Sequence, residues 1–415
     1  MKYVIIGNSA AGIGAVEGIR QIDKQGEITV IANEPHHTYS RPLISYLLHG
    51  KTTKEKMKYR GGAFYTENNV CFVHAAVTGV DPGGKQVIVS DGRNFPYDKL
   101  LVAAGSSAFV PSFEGLDTVH DKFTFMSLDD AEKLEGVLAD NKRVLIIGAG
   151  LIGLKCAEGI EKRVAHITVV DLAPRILSSI LDDEGAKIVQ SHIESKGIEF
   201  KLGVSVKSFN KTAAVLDNGE TLNFDILVLA VGVRPNTSLL KDIAGIDRGI
   251  IVDNKSQTSA ADIYAAGDCT QTLDISSGQN KIMALLPNAY IQGECAGINM
   301  AGSLLDGNIE KTFDKAIPMN AIGFFGLHMI TAGNYTGEIY EEKKEENASY
   351  KRLFYSDNKL NGYILIGNVE KAGIYTSLIR ERTPLDTIDF ALVCQRPGLM
   401  AFTKEARMSK LGAAS

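Results

Sequence analysis

The sequence has few cysteines, and none of the five lies in a CxxC or CxxxxC spacing. Local zinc sites and local redox disulfides need closely spaced thiols, so the sequence supports neither. We expect each cysteine to be a small buried or half-buried hydrophobic residue. The five are Cys71, Cys156, Cys269, Cys295 and Cys394.

Long hydrophobic runs are absent as well. The longest unbroken apolar run, residues 144–154, is bounded by Arg143 and Lys155, and it is far shorter than the roughly 20 residues that cross a bilayer. We therefore expect no membrane span. The N-terminal stretch MKYVIIG lacks the longer apolar core and the small-residue cleavage site of a signal peptide, which favours a cytoplasmic protein.

Strong net charge is the third missing feature. A formal charge of -5 over 415 residues gives no reason to expect a nucleic-acid partner. An apolar content of 45% is typical of an ordinary globular protein. Because a chain of this length exceeds what one core usually supports, we expect two or three domains.

An internal repeat is the most informative feature that is present. KYVIIGNSAAGIGAVEGI opens the chain, and RVLIIGAGLIGLKCAEGI returns near its middle. Each copy has a β-rich run that ends at a glycine, then a helical pattern and a second β-rich run. The three positions of the glycine turn are Gly7, Ser9 and Gly12 in the first copy, and Gly148, Gly150 and Gly153 in the second.

This pattern is the βαβ dinucleotide-binding fingerprint, written twice. The first glycine permits a tight turn, the second lets the backbone approach a pyrophosphate, and the third lets helix and strand pack closely. The N–H groups at the helix N-terminus then face the phosphates. Ser9 departs from the strict pattern, and a small side chain there should cost little.

An acidic residue closes each copy, Glu34 in the first and Asp171 in the second. A carboxylate at this position accepts hydrogen bonds from a ribose, so the repeat predicts two nucleotide cofactors. Asp171 would repel a 2′-phosphate, which favours NAD(H) over NADP(H). Arg175, four residues on, weakens that preference.

Three further segments give the first copy a more specific resemblance. PYDKLLVAAGSSAFVP (residues 96–111), FDILVLAVGVRPN (224–236) and TSAADIYAAGDCT (258–270) resemble motifs of the FAD-dependent pyridine nucleotide-disulfide oxidoreductase superfamily. PNAYIQGECAGINMAG then resembles the helix whose positive N-terminus faces the flavin. The resemblance covers residues 1 to about 310 in order.

The resemblance implies an α/β fold with two Rossmann-like domains of the glutathione-reductase type and a small α+β C-terminal interface domain. It places an FAD-binding domain at residues 1–110 and 236–310, an NAD-binding domain at 111–235 and the interface domain at 311–383. Residues 384–415 match nothing assignable. We expect them to be a solvated tail, with a docking segment as the alternative because of the basic residues Arg396, Lys404, Arg407 and Lys410.

FAD and NAD(H) are the cofactors that the resemblance implies, and no metal site is expected. In the superfamily, Asp268 would hydrogen-bond the ribityl chain of FAD. The FAD-binding residues implied are Gly7, Ser9, Ala11, Gly12, Glu34, Arg41, Pro42, Ala104, Gly105, Asp268 and Pro287. Those implied for NAD(H) are Gly148, Gly150, Ile152, Gly153, Asp171 and Gly232.

The stretch YSRPLISYLLHG (residues 39–50) resembles the segment that passes beneath the flavin. There Arg41 would neutralise the FAD pyrophosphate, and Pro42 would fix the turn. Relatives that reduce peroxide, coenzyme A disulfide or oxygen have a cysteine where this chain has His49. Histidine cannot act as that redox thiol, so the disulfide and peroxide branches are disfavoured. His49 either holds a proton near the flavin or is an ordinary polar loop residue.

Rubredoxin and ferredoxin reductases often have a lysine at the position of Tyr46 and a glutamate at that of Lys155, which form an ion pair beside the flavin. Neither partner is in its usual place here. One interpretation is that Lys155 supplies a cation at the flavin edge and raises the flavin potential. The alternative is a first-turn helix residue that reaches solvent.

Thiol-free members of the superfamily generally feed one-electron carriers. We therefore expect an FAD-dependent NAD(H) oxidoreductase that exchanges electrons with a rubredoxin- or ferredoxin-type protein. A basic cluster could dock such acidic carriers, although a solvated helix face is the favoured explanation; the cluster contains Lys51, Lys54, Lys56, Lys58 and Arg60.

Other functions stay open. One is a flavin subunit of a larger metalloenzyme system, such as carbon monoxide dehydrogenase or nitrite reductase. The others are an NADH oxidase and a non-enzymatic flavoprotein similar to the apoptosis-inducing-factor relatives. The interface-domain resemblance also allows a homodimer.

Overall fold

The computed structural model describes residues 1–302, 309–344 and 348–410. The chain forms two compact units. Unit 1 comprises residues 1–170, 205–273 and 280–314, and unit 2 comprises 171–204, 274–279 and the described residues from 315 onward. The domain boundaries expected from the sequence stay a prediction, because they separate cofactor-binding domains, whereas the two units are compact parts of the chain.

The first sheet of unit 1 contains β1 (Lys2–Ile6), β2 (Glu27–Ala32), β3 (Val70–His74), β7 (Lys99–Val102) and β19 (Ile263–Ala265). Its strands are parallel, in the order β19-β7-β1-β2-β3. Helix α1 (Ala10–Ile22) connects β1 to β2. The strands are nearly continuous in apolar residues because elements cover both faces of a parallel sheet.

The second copy of the repeat builds a second parallel sheet. Its strands in unit 1 include β9 (Lys122–Phe123), β10 (Arg143–Ile147), β11 (His166–Asp171) and β16 (Ile226–Leu229). They run in the order β11-β10-β16-β9. Helix α5 (Leu151–Ile160) connects β10 to β11, and α4 (Leu128–Glu135) precedes β10. The repeated βαβ fold predicted from the sequence is confirmed.

Smaller sheets complete unit 1. Two antiparallel sheets consist of β4 (Val77–Asp81), β5 (Gln86–Val89) and β6 (Asn94–Pro96), and of β13 (Val206–Asn210), β14 (Ala213–Leu216) and β15 (Thr221–Asn223). An antiparallel pair joins β8 (Ser106–Ala108) to β17 (Val233–Pro235). The remaining strands are β18 (Ile250–Ile251), β20 (Thr270–Asp274) and β21 (Gln279–Lys281). The remaining helices are α2 (Ile44–Leu48), α3 (Phe64–Glu67) and α7 (Leu286–Gly302).

Helices α1 and α7 pack with their backbones in close approach. A Cβ atom at Gly14 would lie 2.3 Å from the Tyr290 carbonyl oxygen, and one at Gly293 would lie 2.0 Å from the Ala11 carbonyl oxygen. No side chain fits at either position. The contact brings the N-terminal half of α7 against the first turn of α1, where the glycine turn of the first fingerprint lies.

Unit 2 is built on an antiparallel sheet of β22 (Met319–Phe324), β23 (Leu327–Gly333), β24 (Glu338–Lys344), β25 (Ser349–Ser356) and β26 (Lys359–Ile366). The strand order is β22-β23-β26-β25-β24. This unit also contains β12 (Ile198–Leu202) and the helices α6 (Asp183–Glu194), α8 (Ala372–Arg380), α9 (Phe390–Gln395) and α10 (Lys404–Lys410). The small α+β domain expected near the C-terminus is confirmed. Among the described helices, none is long and apolar enough to cross a membrane.

The expectation of a solvated tail is wrong for residues 384–402. Tyr375 donates a hydrogen bond to the Val393 carbonyl oxygen at 3.0 Å, and Lys351 donates one to that of Cys394 at 2.7 Å. These tail residues pack into the core of unit 2 and are buried: Leu385, Val393, Cys394, Ala401 and Phe402. The burial of this segment was not predictable from the sequence because its apolar residues are scattered and show no clear periodicity.

Candidate functional site

The first glycine turn has the geometry that the fingerprint requires. Gly7 has φ +119°, and a Cβ atom there would lie 2.1 Å from the Ala103 carbonyl oxygen. A Cβ atom at Gly12 would lie 2.1 Å from the Gly7 carbonyl oxygen. Both positions therefore exclude every side chain, as the fingerprint demands.

The second turn repeats these features. Gly148 has φ +115°, and its Cβ atom would lie 2.2 Å from the Ala230 carbonyl oxygen. A Cβ atom at Gly153 would lie 2.0 Å from the Gly148 carbonyl oxygen. Gly232, which follows β16, has φ +118° and faces open space.

The middle position of each turn is the N-cap of the helix that follows. Ser9 caps α1 and Gly150 caps α5, both in extended conformation. A Cβ atom at Gly150 would meet no atom within 4 Å. The turn therefore leaves a cradle in front of the helix N-terminus, where N–H groups favour an anion. This cradle fits the pyrophosphate of a dinucleotide. Ala11 is buried in the first turn of α1 and Ile152 is half-buried in that of α5.

Glu34 lies two residues beyond β2, and both of its carboxylate oxygens have partners. Tyr39 donates a hydrogen bond to Oε2 at 2.5 Å, and Arg41 donates one to Oε1 at 2.5 Å. The Tyr39 hydroxyl in turn accepts the Leu128 N–H at 2.9 Å, and Arg41 donates to the Met126 carbonyl oxygen at 2.9 Å. This network holds Glu34, the carboxylate predicted to bind a ribose, between two loops. The role of Arg41 at a pyrophosphate stays a prediction.

Asp268 is a half-buried carboxylate beside the first fingerprint. Burial raises its pKa, and the charge of Arg41 and a hydrogen bond with Ser106 oppose that shift only in part. Further hydroxyl donors would stabilise such a carboxylate, which suits the ribityl role implied by the resemblance. The other implied FAD positions lie at the ends of elements of unit 1: Ala104 and Gly105 follow β7, Pro42 lies before α2, and Pro287 is in the first turn of α7.

The flavin-loop segment, residues 39–50, packs directly on the helix of the second fingerprint. A Cβ atom at Gly159 would lie 2.9 Å from the Ser45 carbonyl oxygen. Arg163 donates a hydrogen bond to the Leu48 carbonyl oxygen at 3.1 Å. His49 is the half-buried C-cap of α2. Helices α2 and α5 are therefore in contact at the point where the resemblance implies that the two cofactors meet.

Tyr46 and Lys155 face each other across this contact. The Lys155 Nζ atom lies 4.6 Å from the centre of the Tyr46 ring and forms an ion pair with Glu158. The Lys155 side chain is only 13% exposed, so the alternative of a solvent-reaching lysine is wrong. Glu158 was not predicted as a site residue, although its i,i+3 spacing from Lys155 on a helix indicates an ion pair.

The basic cluster is partly neutralised. Lys54 pairs with Glu132 at 2.7 Å, and Lys58 pairs with Glu55 at 2.7 Å. Arg60 forms two hydrogen bonds with the Glu17 carboxylate. Three of the five cations therefore already have acidic partners, which weakens the case for this cluster as a docking surface.

Asp171 is the last residue of β11, and its Oδ1 accepts the Ala173 N–H at 2.8 Å. Arg175 forms an ion pair with Asp183 at 3.0 Å. The positive charge that weakened the NAD(H) preference in the sequence is therefore balanced by a neighbouring carboxylate.

The thiols do not form a redox site. Four cysteines are buried as expected, whereas Cys71 is exposed, so the prediction is wrong for that residue. Burial raises the pKa of Cys269 and of Cys295 to about 11. Thiols with such pKa values stay protonated at neutral pH and are poor nucleophiles. In the described part of the chain, no group of three or more His, Cys, Asp or Glu residues is arranged to hold a metal ion.

Comparison with known proteins identifies the family. Residues 1–293 match pyridine nucleotide-disulphide oxidoreductase, and residues 318–383 match the rubredoxin NAD+ reductase C-terminal domain. Over 396 residues the chain is 34% identical to the NADH-dependent phenylglyoxylate dehydrogenase subunit epsilon of Aromatoleum evansii, with 92% of each chain covered. It is 29% identical over 311 residues to a rubredoxin-NAD(+) reductase of Pseudomonas putida, covering 73% of this chain and 80% of the relative.

A solved structure agrees on the fold. The covalent putidaredoxin reductase-putidaredoxin complex matches with a TM-score of 0.86 at 23% identity, covering 100% of this chain and 99% of the other. The fold, the two glycine turns and the two matched sequence regions lead to one conclusion. The chain belongs to the pyridine nucleotide-disulphide oxidoreductase family.

Proposed function

We propose that this protein is an FAD-dependent oxidoreductase that passes electrons between NAD(H) and a small iron–sulfur carrier of the rubredoxin or ferredoxin type. The observation that carries the proposal is that the flavin-loop segment contains no thiol and has His49 at the C-cap of α2. The match of residues 318–383 to a rubredoxin reductase domain supports the same reading. Without a thiol relay in this segment, a bound flavin would pass its electrons directly to the acceptor.

The two fingerprints divide the cofactors between them. The turn at Gly7 to Gly12 would hold FAD, with Glu34 and Asp268 as hydrogen-bond acceptors for its hydroxyl groups. The turn at Gly148 to Gly153 would hold NAD(H), with Asp171 as the ribose acceptor. When bound, FAD accepts a hydride and releases single electrons, which joins a two-electron donor to a one-electron carrier.

The residues at the α2–α5 contact set the electrostatics of this chemistry. Lys155 keeps a positive charge beside Tyr46, and Glu158 holds that ammonium in place. A fixed cation favours the state with more negative charge, so Lys155 would raise the potential of a flavin bound beside it. His49, at the end of α2, is a candidate residue for holding a proton near the flavin.

A subunit of a larger enzyme is the second candidate function. The identity to the epsilon subunit of a phenylglyoxylate dehydrogenase extends over 92% of both chains and favours it. In that case, the acceptor or donor is a metal centre on a partner subunit. The cytoplasmic location and the homodimer expected from the sequence stay predictions.

The two candidates separate in a rapid-mixing experiment without oxygen. The FAD-loaded protein is reduced with one equivalent of NADH and mixed with oxidised rubredoxin or ferredoxin, and the visible band of the carrier is followed. The first candidate predicts reduction of the carrier within seconds. Fast flavin reduction with no electron transfer to either carrier would favour the subunit of a larger enzyme.

A further inference from the structure

The C-terminal sheet of unit 2 contacts the segment that ends the loop after Asp171. Tyr350 and Arg352, both on β25, donate hydrogen bonds to the Asp182 Oδ2 atom at 2.8 Å and 2.6 Å. The other oxygen, Oδ1, accepts the Gly185 N–H at 2.8 Å and so caps α6. One carboxylate therefore joins a helix N-terminus to a strand of the C-terminal sheet.

Neighbouring contacts hold the same segment. Tyr335 donates a hydrogen bond to the Ile180 carbonyl oxygen at 2.8 Å, and its ring stacks on Phe354 with the centroids 5.0 Å apart. Lys343 on β24 forms an ion pair with Glu184. Residues 180–184 are thus fixed by side chains from two strands and from the turn that follows β23.

The other end of the loop is fixed as well. Ala173 donates its N–H to the Asp171 carboxylate and accepts a hydrogen bond from the Gly203 N–H at 3.0 Å. Inside the loop, Arg175 pairs with Asp183. Leu177 has φ +50° although it is a buried leucine. A strained residue of this kind persists only where surrounding contacts over-determine the backbone.

We propose that Tyr350 and Arg352 are positioning residues for NAD(H). Acting through Asp182, they keep the loop of residues 172–182 in the conformation that presents Asp171 to the ribose. The inference rests on the proposed function, in which Asp171 is the ribose acceptor. Without these donors, the strained loop relaxes, and part of the binding energy is spent on ordering it. Such a change weakens NAD(H) binding and leaves the chemical step intact.

The test is calorimetric titration of the FAD-loaded protein with NAD+, together with steady-state kinetics in NADH. Arg352→Met and Tyr350→Phe should raise the Kd for NAD+ and the KM for NADH by about fivefold to tenfold, with kcat within twofold. Arg352→Lys should recover part of the affinity. Lys351→Met is the matched control, because Lys351 lies on the same strand but contacts Glu342 and the Cys394 carbonyl oxygen.

Tyr350→Phe removes a single oxygen atom, so this variant still tests the positioning role if Arg352→Met fails to fold. Asp171→Ala distinguishes failure of the positioning role from failure of the proposed NAD(H) site. If Asp171→Ala weakens binding while Tyr350→Phe and a folded Arg352→Met bind NAD+ like the unmodified protein, the positioning role is wrong and the proposed NAD(H) site stands. If Asp171→Ala binds NAD+ normally, the proposed site is wrong and the inference falls with it.

Discussion

The ammonium group of Lys155 lies 4.6 Å from the centre of the Tyr46 ring and pairs with Glu158 on its own helix. Where the resemblance to rubredoxin and ferredoxin reductases implies a lysine and a glutamate on two different elements, this chain has an ion pair within α5 and an aromatic ring against the cation. The arrangement places a buried ammonium group, paired with a carboxylate on its own helix, at the α2–α5 contact.

Changing these charges should shift the flavin midpoint potential in opposite directions. Lys155→Glu should lower it because the cation is lost, and Glu158→Gln should raise it because the counter-ion is lost. We expect shifts of about 30 mV or more, which is tenfold in the equilibrium constant of a two-electron couple. Spectroelectrochemical titration measures the potential, and Lys155→Arg serves as control. An unchanged potential in both charge variants would remove the proposed role of Lys155.

We expect Asp268 to strengthen the binding of FAD. Loss of one charge-assisted hydrogen bond costs about 1.5–3 kcal/mol, so Asp268→Leu should weaken FAD binding by about 10-fold to 100-fold. Flavin fluorescence during titration of the apoprotein measures the affinity. Asp242, an exposed residue of unit 1, provides the control substitution. Equal FAD affinity in Asp268→Leu and the unmodified protein would show that another residue holds the ribityl chain.

Arg60 should stabilise unit 1 through Glu17. Burial alone would raise the pKa of Glu17, but hydrogen bonds from Arg60 and Tyr290 outweigh it and lower that pKa. Arg60→Met leaves the half-buried carboxylate without its cation and should cost about 2 kcal/mol at neutral pH. Urea unfolding measures the difference.

The pH dependence of that stability has a definite sign. Because the folded pKa of Glu17 lies below the ordinary value of 4.5, its contribution is fully present above pH 4.5 and is lost as the pH falls through the lower, folded value. Arg60→Met should therefore differ from the unmodified protein most above pH 4.5. A difference that grows towards acid pH would contradict the ion-pair account.

The close contact of α1 and α7 predicts a position-specific effect of alanine. Gly293→Ala places a Cβ atom 2.0 Å from the Ala11 carbonyl oxygen, so the helices must separate, at a cost of about 1–3 kcal/mol. Gly373→Ala, in α8, meets nothing within 4 Å and should gain about 0.4–1 kcal/mol. Thermal unfolding of both variants measures the contrast. Equal effects would mean that α1 and α7 do not pack this closely.

The buried part of the C-terminal segment predicts that truncation is costly. Removing residues 384–415 uncovers the core of unit 2 around Tyr375, whose hydroxyl then loses the Val393 carbonyl oxygen. We expect a loss of cooperative unfolding for unit 2 and binding of a hydrophobic dye. A shorter truncation of residues 411–415 is the control. A fully stable protein after the longer truncation would contradict the packing of this segment.

The nucleotide-binding fold was predictable because steric rules fix it locally. Gly7 and Gly148 need positive φ beside a neighbouring strand, so a glycine turn after a β-run identifies the βαβ unit from sequence alone. The partners of Glu34 were not predictable, because Tyr39 and Arg41 satisfy it through loop geometry. The contacts of Asp182 with Tyr350 and Arg352 join residues far apart in sequence, and no local pattern indicates such pairs. The burial of residues 384–402 was not predicted because their apolar residues are scattered and show no clear periodicity.

The central claim is direct electron transfer from a thiol-free flavoprotein to a small redox protein. The measurement that tests it most directly is NADH consumption in air by the purified, FAD-loaded protein, with and without an oxidised rubredoxin or ferredoxin. We predict a slow rate without carrier and a large increase when the carrier is added. A fast rate that the carrier leaves unchanged would identify an oxidase and would show that the proposed electron transfer is wrong.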